Sequence, residues 1–326
     1  MNWGIVMGAF VTSVESVAEI VIVIALGFWL RNSGRLSDEF KGNISFLIMN
    51  IALPASIFVS VLKYLTRDKL ASLSGGLVFA FGSFLVSYIV AWLLTKILKI
   101  RKGRRGTFIN MFANANTIFI GLPLNMALFG TKSLPYFLVY YVMNTISTWA
   151  IGVFFISNDD PTTTKNEKKD FNWKKLLPAP LVGFLVSLVF LLLAIPIPEW
   201  ITKTLDMVGG IVTPMSLIYI GIILADAGLS SIKFDRDTIW ALLGRFVYTP
   251  AIMICFVLFG AYIGHGLPTL EANTLVIQAA APGLAVLPIL VDQAHGDVDY
   301  ATNLVTTSTV LFVVVVPILM QVLNFI

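Results

Sequence analysis

The chain is written in long apolar runs separated by short polar stretches. Runs of ~18 or more mostly apolar residues match the length of a membrane-crossing helix. On that criterion spans are predicted at 11–30, 44–62, 72–97, 107–129 and 134–157, and again at 178–198, 204–225, 238–263, 272–291 and 301–325. Between the two sets lies SNDDPTTTKNEKKDFNWKK, Ser157 to Lys175, the one long polar and charged segment. Its composition disfavours a packed core. The expected organisation is therefore a first five-helix repeat at 1–157, a cytoplasmic linker at 158–175 and a second five-helix repeat at 176–326.

Composition fixes the solvent. Of 326 residues, 57% are hydrophobic and 12% charged, and the mean hydropathy is +0.88, whereas a soluble domain carries about 25% charged residues. A water-soluble globule is excluded, and an all-α polytopic protein in a lipid bilayer is expected. The net charge of +4 does not point to nucleic acid, because the basic residues lie in loops between apolar runs. The single cysteine, Cys255, excludes an intramolecular disulfide and a Cys-based metal site; it is expected to pack as a small hydrophobe. The first apolar stretch lacks a basic start and carries Glu15 and Glu19, so it is expected to stay as a span rather than act as a signal peptide.

Charge also sets orientation, since loops rich in Lys and Arg face the cytoplasm. Arg31, Arg35 and Lys41 follow span 1, six basic residues from Lys96 to Arg105 follow span 3, five lysines lie in the linker, and Lys233 and Arg236 follow span 7. The opposite side holds Lys63, Arg67, Lys69, Lys132 and Lys203. The linker is therefore expected inside and both termini outside. Five spans per half is an odd number, so the second half enters the membrane upside down relative to the first, the topology of an inverted repeat. Pro54 and Pro214, and Pro123 and Pro288, fall at corresponding places in the two halves. Proline removes a backbone donor and crowds the preceding turn, so spans 4 and 9 are expected to be interrupted; the plainer account is that proline is common in membrane helices.

Two stretches carry candidate chemistry. In FANANTIFIGLPL, Asn114, Asn116 and Thr117 cluster within an apolar span, with Gly121 and Pro123 close behind. Polar groups in hydrocarbon are costly without partners and normally face a bundle interior or a watery cavity. Unwinding here would present the amide donors of a new helix start, which favours an anion. The alternative is that the amides join one helix to another. In QAAAPGLAVLP, Pro282, Gly283 and Pro288 make an unbroken helix improbable, and Gln278 is the strong hydrogen-bonding side chain beside the break.

These stretches, with NISFLIMNIALPASIF, TPMSLIYIGIILA and the final VVVVPIL, resemble the auxin efflux carrier family of membrane transporters over nearly the whole chain. The resemblance implies ten spans in two inverted five-helix repeats, spans 4 and 9 broken and crossing at mid-membrane, and a homodimer. Asn116 and Thr117 match the family's Asn-Thr at the first crossing, Gly121 and Pro123 its Gly-x-Pro, and Pro282 the proline of the second. Ala115 stands where plant auxin carriers have proline, and the linker is short. Bacterial members look like permeases for small carboxylates such as malate or malonate, so an organic anion is the implied substrate.

Charged residues within spans are weighed singly. Arg245 in span 8 and Asp226 at the end of span 7 are candidates for a cytoplasmic-side gate; the alternative is that Arg245 snorkels to the interface and pairs with Asp226 or a lipid phosphate. Glu19 is a candidate proton site, against a plain interfacial charge. Asp206 and Glu271 are expected as solvated boundary charges. His265 and His295 have no ligand partner at metal spacing, and no metal or other cofactor is expected. HExxH, GxSxG and GxxxxGK[ST] motifs are absent, so the expectation is a gradient-driven carrier and not an enzyme. A sodium-coupled symporter of the bile-acid type is the competing reading.

Overall fold

The computed structural model describes residues 18–19, 21–162, 179–228, 232–292 and 294–323. Among them the secondary structure is helical and contains no strand. The elements are α1 (Val21–Asn32), α2 (Asp38–Tyr64), α3 (Arg67–Ile97), α4 (Arg105–Ala113), α5 (Thr117–Phe129) and α6 (Thr131–Ser157). After the linker come α7 (Ala179–Leu193), α8 (Glu199–Asp226), α9 (Arg236–Tyr262), α10 (Thr269–Ala279), α11 (Leu287–Asp292) and α12 (Val298–Leu323). Among the described residues α2, α6, α8 and α9, with Gly75–Ile97 of α3, are long and apolar enough to cross a membrane; α12 makes a sixth if its bent halves count as one span. Predicted span 4 falls on α4 and α5, and span 9 on α10 and α11. Glu15 and residues 163–175 of the linker lie outside the described residues.

Proline shapes three helices in one way. A widened π turn at Ile48–Ala52, Thr117–Gly121 and Gly244–Tyr248 is followed in each case by a proline at the second position of the next α segment: Pro54, Pro123 and Pro250. A ring that crowds the carbonyl four residues back, on a nitrogen that cannot donate, opens the turn locally while the helix continues.

The helices pack as two groups. α2 lies along α7 and α8, and α1 joins them through a close approach in which Gly27 meets the backbone of Ile218 and Gly221 meets that of Ile24. The second group contains α3 to α6 and α9 to α12, with α3 against α4, α6 and α9, and α10 against α6 and α9. The groups meet where α5 packs on α8 and α2 on α6; there Phe119 stacks on Tyr219 with ring centroids 4.3 Å apart. Large apolar side chains such as Phe46, Val78, Phe81, Phe154, Met207 and Ile318 face outward, the surface a lipid-solvated protein presents.

Two expectations need correcting here. Cys255 is exposed rather than packed inside. The start of the polar stretch belongs to the folded body: Asp159 and Asp160 are buried, and the Asp159 carboxylate accepts the Gly106 N–H at 3.0 Å at the start of α4.

Candidate functional site

The two interruptions meet. α4 stops at Ala113, the chain runs extended through Asn114, and helix resumes at Thr117. α10 stops at Ala279 and helix resumes at Leu287. Ala115 and Gly283 pair as an isolated antiparallel bridge, with the Asn116 N–H donating to the Pro282 carbonyl at 2.7 Å. That carbonyl has no helical partner because the helix has already ended at Ala279, and glycine permits the close approach: a Cβ on Gly283 would run into Met111. The Gly283 N–H donates to the Ser308 hydroxyl at 3.2 Å.

Backbone freed from a helix and buried must find partners, and side chains of neighbouring helices supply them. Asn144 of α6 holds the Ala115 peptide from both sides, its Oδ1 accepting the N–H and its Nδ2 donating to the carbonyl, each at 2.9 Å. The Asn114 amide is wholly engaged: its Nδ2 donates to the Tyr88 hydroxyl and to Asn110 Oδ1 at 2.8 Å, and its Oδ1 accepts from the Ser147 hydroxyl. Asn114 therefore braces the break and has no polar atom to spare. Asn116 differs. Its Oδ1 accepts the Phe119 N–H at 3.2 Å, capping the first turn of α5, and no described residue accepts from its Nδ2. Thr117 is buried beside it. Gln278 Nε2 donates to the Gly121 carbonyl at 2.8 Å, while its Oε1 is buried without a partner among the described residues; a Cβ on Gly121 would collide with that oxygen.

Arg245 is the fully buried cation of the region, 0% exposed. Its Nη1 donates to the Asn114 carbonyl at 2.9 Å and its Nη2 to the Ala279 carbonyl. One guanidinium thus caps the C-terminal ends of α4 and α10 together, where unsatisfied carbonyls and the helix dipoles favour a positive charge. The expected pairing with Asp226 is overturned: Asp226 accepts from Arg31 at 2.5 Å and from Lys41 at 2.8 Å, near the surface, and Arg245 does not snorkel. Glu19 is exposed on its helix.

Sequence reasoning missed several members. Tyr88, Asn144, Ser147 and Ser308 lie in short polar patches inside apolar runs (Ser87-Tyr88, Asn144 to Thr148, Thr306 to Thr309), which was the available signal. Glu271 was expected as a solvated boundary charge; it is 0% exposed. A cavity of about 540 Å³ between α2 and α7, lined by Phe58, Leu62, Lys63, Phe190, Ile195 and Thr202 among others, shares no residue with the interruptions.

Helices of this length and apolarity, with large apolar side chains on the outside, define a multi-pass membrane protein. A family model described as membrane transport protein matches residues 12–320, and the chain belongs to that family, the auxin efflux carriers. It is a family of transporters and not of enzymes. The chain is similar to an uncharacterized transporter of Methanothermobacter thermautotrophicus, 25% identical over 316 residues covering 94% of this chain and 97% of that one. It is also similar to an uncharacterized transporter of Methanocaldococcus jannaschii, 23% identical over 282 residues, 83% and 86% of the two chains. A yeast uncharacterized transporter matches a shorter part, 28% identical over 115 residues, 35% of this chain and 27% of its own.

Proposed function

We propose that the protein is a secondary active transporter of small organic anions, dicarboxylates such as malate or malonate, driven by the proton gradient. The observation that carries this reading is the buried meeting of the two interruptions, where Asn116 keeps an uncommitted amide donor beside the first turn of α5. The positive end of a helix dipole and a free side-chain amide donor attract a carboxylate. Arg245, behind them, adds a fixed positive charge that no carboxylate among the described residues neutralises. Thr117, Gly121, Gln278, Pro282 and Gly283 shape the same place.

On this reading the chain has ten spans in two inverted five-helix repeats, with spans 4 and 9 broken and crossing. Two matching contacts support the repeat: Gly27 of α1 packs on α8, and Gly183 of α7 packs on Pro54 of α2, which is span 1 on span 7 and span 6 on span 2. The group of α1, α2, α7 and α8 serves as a fixed frame against which the other group rocks, exposing the crossing alternately to either side. The protein acts as a homodimer in the plasma membrane, with both termini outside and the linker cytoplasmic.

The test is uptake of radiolabelled malate into proteoliposomes under an imposed pH gradient, with and without sodium. Asn116→Ala is expected to fold and to lose gradient-driven uptake. Normal uptake by that variant would remove the crossing as the binding site, and uptake requiring sodium would replace the proton as driving ion.

A further inference from the structure

Glu271 lies in the first turn of α10 and is completely buried. Neither carboxyl oxygen has a hydrogen-bond partner among the described residues. One of them rests against Gly76 of α3, so near that a Cβ there would overlap it, and Leu267 closes on the adjacent Gly75. The glycine pair is what admits the acid. A carboxylate buried with neither a donor nor a cation is prohibitively costly, so in this conformation the group sits as the neutral acid.

Among the described residues, other titratable groups offer it no compensation. Tyr136 of α6 stands near it and brings a phenol, not a cation. Tyr140 of α6 and Arg245 of α9 lie toward the interruption. Lys132, in the turn that opens α6, and His265, ahead of α10, form no ion pair with it, and α5 carries no titratable side chain. What links Glu271 to the site is its own helix. Gln278 stands seven residues on, two turns along the same face, and grips the Gly121 carbonyl, while the next carbonyl, Ala279, is held by Arg245.

We propose that Glu271 is the proton-carrying group of the transport cycle. Water on one side supplies the proton that closes the carboxyl O–H bond; when the groups rock and α10 shifts against Gly75 and Gly76 inside its own group, that bond breaks and the proton passes to water on the other side, leaving the carboxylate. The neutral acid is what allows α10 to seat against α3, and seating α10 sets Gln278 and the Ala279 carbonyl at the crossing. Proton loading and the state of the anion site are thereby joined through one rigid helix. The proposal rests on the organic-anion reading above.

Two measurements on the full-length protein in proteoliposomes test it. Infrared spectra near neutral pH are expected to show the C=O stretch of a protonated carboxyl in wild type that is missing in Glu271→Gln; no difference overturns the proposal. Glutamine imitates the neutral acid, so the variant is expected to keep malate counterflow and to lose accumulation driven by a pH gradient, while Glu271→Asp recovers part of it. Glu271→Gln accumulating malate as wild type does overturns the proposal. A wild type that shows the infrared band but moves no carboxylate supports the proton site and overturns the substrate reading instead.

Discussion

Arg245 replaces two expectations with one arrangement. Its planar guanidinium reaches two carbonyls on different helices, the Asn114 and Ala279 groups, which a lysine ammonium, a point charge on a thinner stem, does not span. Arg245→Lys is therefore expected to keep the charge and lose one of the two bonds. A hydrogen bond to a charged group contributes about 1.5–3 kcal/mol, so the variant's melting temperature in detergent is expected to fall; one equal to wild type would show that spanning both helix ends contributes nothing. Nothing in the sequence distinguished this residue from a snorkelling arginine, since an arginine two turns into a span fits either account, and burial depends on what the other helices place around it. Glu271 was obscured in the same way: the glycine pair that receives it lies nearly 200 residues earlier in the chain.

At the scale of elements, the interruptions themselves were legible. Asn114 to Pro123 and Gln278 to Pro288 combine polar, glycine and proline residues in runs otherwise fit to cross a membrane, and helix is lost at both places. Their clamp was not legible, because it comes from Asn144 on α6, and pairing an amide with a distant peptide is a matter of tertiary register. The clamp makes a sharp prediction. Asn144→Leu leaves the Ala115 N–H buried and unpaired, at a cost of about 1–3 kcal/mol, and leaves its carbonyl with the Thr117 N–H alone. The expected result is faster hydrogen exchange at residues 115 and 116 and a lower melting temperature; unchanged exchange there would mean that the bridge to Gly283 holds the break unaided.

For the whole molecule, the two groups of helices are each fastened by their own ion cluster, and neither cluster spans them. Arg31, Lys41 and Asp226 tie α1, α2 and α8. Arg104 ties the other group: it pairs with Asp235 and with Asp297, each at 2.7 Å, and its guanidinium lies over the Tyr300 ring. Both aspartates are also helix caps, Asp235 accepting the Thr238 N–H of α9 and Asp297 the Tyr300 N–H of α12. Partial burial alone would raise the Asp297 carboxyl, but the hydrogen bonds from Arg104, the Tyr300 N–H and Arg101 outweigh it and hold the group below the ordinary range. A carboxyl whose folded value is depressed contributes stability above the unfolded value, about 3.9 for aspartate, and loses it as pH falls through the folded value. Asp297→Asn is therefore expected to melt below wild type at neutral pH, with the gap narrowing as the medium is acidified below about pH 4. Thermal melts of the two proteins across that range check it, and a gap independent of pH would show that the residue acts as a neutral cap and not as the charged centre of the cluster. The groups themselves meet mainly through α5 on α8 and α2 on α6, with Arg67 of α3 donating to the Leu191 and Leu192 carbonyls of α7, and among the described residues no ion pair joins them.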